Sequence, residues 1–567
     1  MRVRIASLCA LFITLAASTA LATHAQAVAG IGDDAMVLPR GTLRIRFAPS
    51  WTEFDSRYGL DTPERAAGSS EPLGLDFTSD TLGIEQLELL VPLEQELRSL
   101  TGISNFSVSL GRTRLDLRSS VRALPIVAEV GLTRRISMAV VVPLVRTRSE
   151  AILSVNPAGS EGNLGFNPAM SISAARDQNT QLVNQLLTAA LTLETAVGGP
   201  VFCESPAGQL DSRCALIAST RQFAGGIAGI YGVGDITVPG FDALSGNAGA
   251  LVIPITNTTA QLAIDARVQD FKSRYGPIGD TITSSGPFPA QSVLGVQDAH
   301  RIFSDPLFGL AVAPLQTVER TAIGDIEISA KLQLFNTLGD ERRFEPPAGL
   351  FLRSAVTSVV RLGTGRTDSP DNLIDVGTGN GQTDLEIRSQ NDLIFGRRFW
   401  ASVVGRYTWQ LADHEVLRVA PPSQPIAAFY RRQRVERKLG DYYDVEVTPR
   451  LVVSDYLALS AQYYYRNKVE DRYGGRFEVT NLLDEEVTLD AAVLNEETAQ
   501  TEHRVYGGIS FSTLAAVQNG KARIPLEVMY QYGQSVRGDG GRTPRISQSA
   551  IQVRIYTRIF GAGDGRR

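Results

Sequence analysis

The chain has 567 residues, 43% hydrophobic and 20% charged, with 55 Lys and Arg against 60 Asp and Glu for a formal net charge of -5. Mixed charge of this kind leaves no basic footprint for nucleic acid. Past the first residues, no apolar run approaches the roughly 20 that a helical membrane span needs, so a helical inner-membrane protein is excluded as well.

At the amino end, Met1-Arg2-Val3-Arg4 is a short basic region and an apolar stretch follows from Ile5 to Ala22. Ala25-Gln26-Ala27 supplies a small-x-small cleavage pattern, so residues 1–27 read as a signal peptide cut after Ala27, with a lone membrane anchor as the alternative. The mature chain, 28–567, is then exported.

Alternation of apolar and polar residues predicts strands near Thr42–Phe54, Arg114–Leu132, Ile136–Ser149, Ile323–Phe335, Leu350–Leu362 and Asp384–Phe395. Others follow near Phe399–Leu411, Asp441–Val453, Tyr456–Asn467, Glu502–Thr513, Ala522–Gln534 and Ser547–Phe560. Connections after the even-numbered strands are short, as in Thr133-Arg134-Arg135, Leu338 to Pro347, Gly396-Arg397-Arg398, Ser454-Asp455 and Leu514 to Lys521. Most of the others are long. Short turns on one rim and long loops on the other imply an all-β fold, a closed antiparallel transmembrane β-barrel of about 12 strands in the outer membrane of a Gram-negative-type envelope. Aromatic residues near strand ends suit interfacial girdles, although cross-strand pairing in a soluble exported sheet also places them there.

Helical signals lie in two long loops, which are expected on the extracellular side. Pro92, Leu93, Leu97, Leu100 and Gly102 outline one helix; Leu182, Leu186 and Ala190 beside Val183, Leu187 and Leu191 place a second within Ile172–Val197. A third runs after Asn257 through Ile264, Val268, Phe271 and Tyr275 to Gly276-Pro277. The 150–322 insertion must bury these apolar faces, as a cap over the barrel, as a plug or as an external subdomain; a cap is expected. Only Cys203 and Cys214 remain after signal removal, and in an oxidising compartment they most simply form one disulfide.

Chemistry-bearing motifs are sparse. Of the four histidines, His24 leaves with the signal, while His300 and His503 have no evident partner. Asp413 and His414 are adjacent, and neighbours on a strand point to opposite faces. There is no Gly-x-Ser-x-Gly elbow and no Walker loop, so no catalytic residue and no cofactor are expected. Asp368, Asp371, Asn372, Asp375 and Asp384 are oxygen ligands, but their spacing matches no calcium loop, and a flexible surface loop is the reading. No metal site is expected.

The inward set is the candidate site: Arg353, Thr357 and Arg361 on one strand, Asp384, Glu386, Arg388, Gln390 and Asp392 on the next, then Ser402, Arg406, Thr408 and Gln410. Glu327, Lys331, Asp444, Glu446, Arg450, Gln462, Arg466, Glu527, Gln531, Gln552, Arg554 and Arg558 continue it. Acid and base alternate between strands, which fits either a conducting path or an ion-pair network that fills the barrel.

The run Val130-Gly131-Leu132-Thr133-Arg134-Arg135-Ile136, ending in Val142-Pro143-Leu144, followed by Ile323-Gly324-Asp325-Ile326, resembles a bacterial family. So do Arg361-Leu362-Gly363-Thr364-Gly365 and Gly377-Thr378-Gly379-Asn380-Gly381. The family is that of outer-membrane transporter or phenol meta-pathway degradation-like proteins, and the likeness covers about 114–145 and 323–411. It implies passive passage of small hydrophobic or aromatic molecules; the 150–322 insertion departs from the family pattern. A non-transporting, structural or partner-binding barrel is the alternative. Expected partners are outer-membrane lipid, an unidentified small-molecule cargo and the barrel-assembly machinery. The last of these would read the final strand Ile551 to Phe560, although seven residues follow it.

Overall fold

A computed structural model describes residues 32–59, 68–157, 162–279, 282–306, 309–338, 348–396, 398–518 and 520–560. The signal sequence, its cleavage point after Ala27, Arg397 and most of the Leu338 to Pro347 turn lie outside the described residues.

Twelve strands close into one barrel. They are β1 (Thr42–Phe47 continued by Ser50–Phe54), β2 (Thr113–Gly131), β3 (Ile136–Val155), β4 (Val318–Ile323 continued by Ile326–Asn336), β5 (Leu350–Leu362) and β6 (Asp384–Phe395). Then come β7 (Phe399–Gln410), β8 (Tyr442–Val452), β9 (Leu457–Lys468), β10 (Gln500–Ser512), β11 (Leu526–Asp539) and β12 (Ser547–Arg558). Each pairs antiparallel with its neighbours, and β12 returns to β1 from Thr42↔Arg558 to Phe47↔Val553. Closure leaves no strand edge open, which a wall immersed in lipid requires.

The distribution of side chains is inverted relative to a water-soluble protein. Leu352, Val360, Leu385, Ile387, Val403, Trp409 and Val447 are exposed on the outer wall, while Arg353, Asp384, Asp392, Arg450, Glu527 and Arg554 are buried inside. No helix among the described residues is long and apolar enough to cross a membrane.

Four adjacent strands are irregular at one level. Pro125 and Pro143 face each other in the β2–β3 register, so neither can donate to the ladder there. Their carbonyls accept from Ala48 N at 3.2 Å and Gly324 N at 2.8 Å, at the breaks in β1 and β4. Along β4 the pairing to β3 advances four residues, Ile323 to Glu327, against three, Leu144 to Val141; the extra residue is a bulge at Gly324-Asp325. A Cβ on Gly324 would lie 2.8 Å from the Thr378 carbonyl, so a residue without one fits this packed bend.

β3 outruns its expected end, reaching Val155 rather than Ser149, and β4 begins at Val318 rather than Ile323, while β2 lies within one residue of its expected bounds. Their outer halves carry the insertion. Helix α1 (Val91–Thr101) ends at a left-handed Gly102, α2 spans Ser173–Val197 and α4 spans Thr259–Tyr275, as the spacing predicts. Helices α3 (Ser212–Tyr231) and α5 (Val296–Ser304) were not anticipated.

Leu182, Leu186, Phe223, Ile227, Ile264 and Val268 form one core with Leu97 of α1 and with Leu115 and Leu153 of the β2–β3 hairpin, reaching Ile374 and Ile426 in the loops after β5 and β7. The insertion therefore builds a layer on the long-loop rim, rooted on that hairpin. Cys203 and Cys214 are joined there, their Cα atoms 5.4 Å apart. Tyr430 donates to Glu88 at 2.6 Å across two loops; burial and that carboxylate push the phenol up to about 12.

Substituting Ile387→Arg should cost about 2–4 kcal/mol relative to Ile387→Ala if this face meets lipid. Urea unfolding from phospholipid vesicles measures the difference, and equal stabilities would contradict the assignment of the face.

Candidate functional site

Alternation turns the polar residues of β4–β12 into a continuous inner wall. The residues expected to line the lumen occupy inward positions of these strands, except that Arg558 at the end of β12 is exposed. Arg353, Thr357, Asp384, Glu386, Gln390, Glu446 and Arg450 are buried, and Arg361, Arg388 and Arg406 are nearly so.

These residues are brought together in pairs and clusters. Arg353 holds Asp392 at 2.6 Å, with both side chains 3% exposed, and Asp392 also accepts from Ser402 at 2.8 Å. Thr357 donates to Gln390 at 2.9 Å. Arg361 reaches Glu327 at 2.8 Å, Asp384 at 3.0 Å, Glu386 at 3.3 Å and the Tyr442 hydroxyl at 3.0 Å. Arg388 contacts Glu386 and Glu327, and Arg406 contacts Glu446. Arg450 differs: among the described residues its Nε and Nη1 have no hydrogen-bond partner.

What the sequence reading missed runs through the middle. Residues 32–39, ahead of β1, lie inside the barrel. Gly32 sits beside Thr448, Gln462 and Glu446. Asp33 Oδ2 bridges Arg388 at 3.2 Å and Arg406 at 3.3 Å. Lys331 donates to the Asp34 carbonyl at 2.8 Å, and Ala35 N donates to Asp392 at 3.1 Å. Leu38 is fully buried against Leu514 and Tyr556. Gly131 accommodates the exit, since a Cβ there would lie 2.2 Å from the Pro39 carbonyl.

The segment thus crosses from β8–β9 past β6–β7 to β2, and supplies carboxylate or carbonyl oxygens to three cations of the wall. Its only sequence signal is Asp33-Asp34, an acidic pair left without a structural element in front of β1. Beside it remains a cavity of about 200 Å³ lined by Gly32, Ala48, Ser50, Met529, Gln531, Gln548, Ala550 and Gln552.

The inner wall is not uniform. Along β2 and β3 the inward positions between Glu129 and Ser149 are Val127, Pro125, Ala123 and Val121, then Ala139, Val141, Pro143 and Val145, with the single hydroxyl of Thr147. Charged and uncharged walls face each other across the segment.

Residues weighed for chemistry are engaged elsewhere. Asp413 forms a two-bond pair with Arg437 at 2.9 and 2.6 Å in a separate sheet beyond β7, and His414 beside it is exposed. His503 meets the Tyr463 hydroxyl at 2.6 Å on the outer face. Asp371 pairs with Arg418, Asp375 with Arg320, and Asp384 with Arg361. Burial holds the Asp368 carboxyl above its ordinary range. The loop after β5 is anchored rather than loose, because Asp325 accepts from Gly365 N and Asn380 N, both at 2.8 Å.

No protein-family model matches the chain, and no curated protein matches it. Among solved structures it is similar to an outer membrane channel from Pseudomonas putida F1, at 9% identity over 94% of this chain and 100% of that one, with a TM-score of 0.39. It is also similar to the Ralstonia pickettii toluene transporter TbuX (10%, 92% and 90%, TM-score 0.26) and to the transport unit of the Escherichia coli autotransporter AIDA-I (6%, 96% and 96%, TM-score 0.29). Likenesses this loose assign no function.

Replacing Asp33→Asn and Asp34→Asn together removes the carboxylate that bridges Arg388 and Arg406 and the one that accepts from Met36 N, and leaves the backbone carbonyl that Lys331 holds. Ion conductance in planar bilayers should rise severalfold over the unchanged chain. An unaltered conductance would mean that the segment is held without these charges.

Proposed function

We propose that the chain is an outer-membrane β-barrel through which small hydrophobic or aromatic molecules cross passively, with residues 32–39 as a displaceable constriction. The observation that carries this reading is the uncharged inner wall of β2 and β3, opposite the arginine-rich wall. A lumen that only had to be sealed could carry ion pairs on every strand. An apolar solute instead needs one face on which it loses little by leaving water, beside polar groups that orient it.

The likeness of the Val130 to Leu144 run to the transporter or phenol meta-pathway degradation-like family supports the same cargo class. Export through the 1–27 signal and delivery to the barrel-assembly machinery belong to this reading, as does the mixed girdle of Tyr407, Trp409, Tyr443 and Tyr463 on the outer wall.

A second reading is a non-transporting barrel whose rim layer binds a partner. The section filled at Asp33 favours it.

Proteoliposome uptake separates the two. A small aromatic solute should enter vesicles holding the chain several times faster than empty vesicles, and faster again with a variant lacking residues 28–37. Equal uptake by empty vesicles and by both forms would leave only the second reading. In planar bilayers Arg361→Glu should shift selectivity toward cations; unchanged selectivity would place the path away from β5.

A further inference from the structure

The outer faces of β1–β4 carry an arrangement that passage through the lumen does not explain. Leu124, Leu144 and Ile323 pair across three strands in one line; they are the last apolar side chains toward the long-loop rim on β2 and β4, while on β3 Ile152 follows beyond the charged positions. The next outward line reads Trp51, Arg122, Arg146 and Thr321, and the one beyond it Glu53, Ser120, Arg148 and Glu319. The boundary between apolar and charged surface is therefore a single register step.

Arg122 and Arg146 stand directly opposite each other, an arrangement that brings their Cβ atoms to roughly 4.5–5.5 Å and is unfavourable for like charges. Arg146 reaches Glu319 at 2.7 Å; Arg148 reaches the same carboxylate at 4.0 Å and Glu150 at 3.0 Å. Glu319 also acts on Arg122, which among the described residues has no carboxylate within ion-pair distance of its own. Arg146 and Arg148 are each 45% exposed, and Arg122 is exposed too. Three guanidinium groups thus converge on a wall with one positive charge in excess.

We infer that Arg122, Arg146 and Arg148 form a site for the phosphate headgroup of an anionic lipid in the leaflet at the long-loop rim. The inference rests on the membrane reading above and is independent of what crosses the lumen. Guanidinium forks match phosphate oxygens in pairs, and an anion between Arg122 and Arg146 converts their repulsion into two charge-assisted contacts. Leu124, Leu144 and Ile323 lie one step below, where the acyl chains of the same lipid run. The indole of Trp51, on the Arg122 line, belongs at the depth of headgroups. A dissolved phosphate would use the arginines and leave that apolar line without a role, which is why the lipid is the occupant.

Phosphatidic acid is the probe. The full chain is folded into phosphatidylcholine nanodiscs containing it, then released and examined by native mass spectrometry for retained phosphatidic acid. Retention should fall about tenfold for Arg122→Gln with Arg146→Gln. It should stay level for Arg114→Gln, whose arginine lies farther from the boundary and pairs with Asp116 at 3.1 Å. Equal retention by the double variant, or an equal loss in the Arg114 control, would overturn the site. Displacement of the lipid by millimolar inorganic phosphate would overturn the lipid assignment. Heat-modifiable gel mobility of the unchanged chain tests the membrane reading separately: its absence would remove that reading, whereas a normal shift with equal retention removes only this site.

Discussion

A wall that lipid surrounds must satisfy all of its own backbone hydrogen bonds, and the return of β12 to β1 is how this chain does so. Other features follow from that closure. Once the sheet is a cylinder, alternation gives every second side chain to the outside and every other one to the inside. The outside takes Leu, Ile, Val and aromatic residues. The inside of a barrel this size is too wide for small side chains to fill, and it receives long arginines with carboxylates to hold them.

Charges placed there are costly unless paired, because a guanidinium or carboxylate withdrawn from water loses several kcal/mol of solvation. Arg353 with Asp392, and Arg361 among Glu327, Asp384 and Glu386, meet that cost from the wall itself. Arg388 and Arg406 do so in part, and Asp33 completes both. The amino-terminal segment is thus held as a counterion is held, by charges fixed on strands that do not move with it. On the β2–β3 side the wall offers it no such partner, so the segment is anchored on one side of the lumen and merely adjoins the other.

Much of this was legible because two environments act on each strand at once. Leu350–Leu362 and Asp384–Phe395 were read to the residue, since lipid and lumen impose opposite chemistry on alternate positions and leave little freedom at the ends. β4 was harder. Its bulge at Gly324-Asp325 moves the outward set from odd to even positions, and the part before it, Val318–Ile323, carries Glu319 and Thr321 outward where an apolar face would be sought. Helix α3 was hidden by Gly225, Gly226 and Gly229, which weaken the helical signal although Phe223, Ile227 and Tyr231 are buried at helical spacing. Residues 32–39 have neither period, and their partners lie hundreds of positions away. The pairing of Asp33 with Arg388 and Arg406 is a fact of closure, which no local pattern can express.

The rim layer has a consequence for how the cylinder comes together. β3 and β4 are neighbours, Ser149 facing Val318, yet the whole helical insertion separates them along the chain. Were it an open loop, bringing those strands into register would cost about 4–5 kcal/mol of closure entropy. Folded on its own core, clipped by Cys203 and Cys214 and seated on Leu115 and Leu153, it instead presents its two ends side by side. A layer on the barrel's rim thereby shortens the effective distance over which one of the barrel's own seams must close.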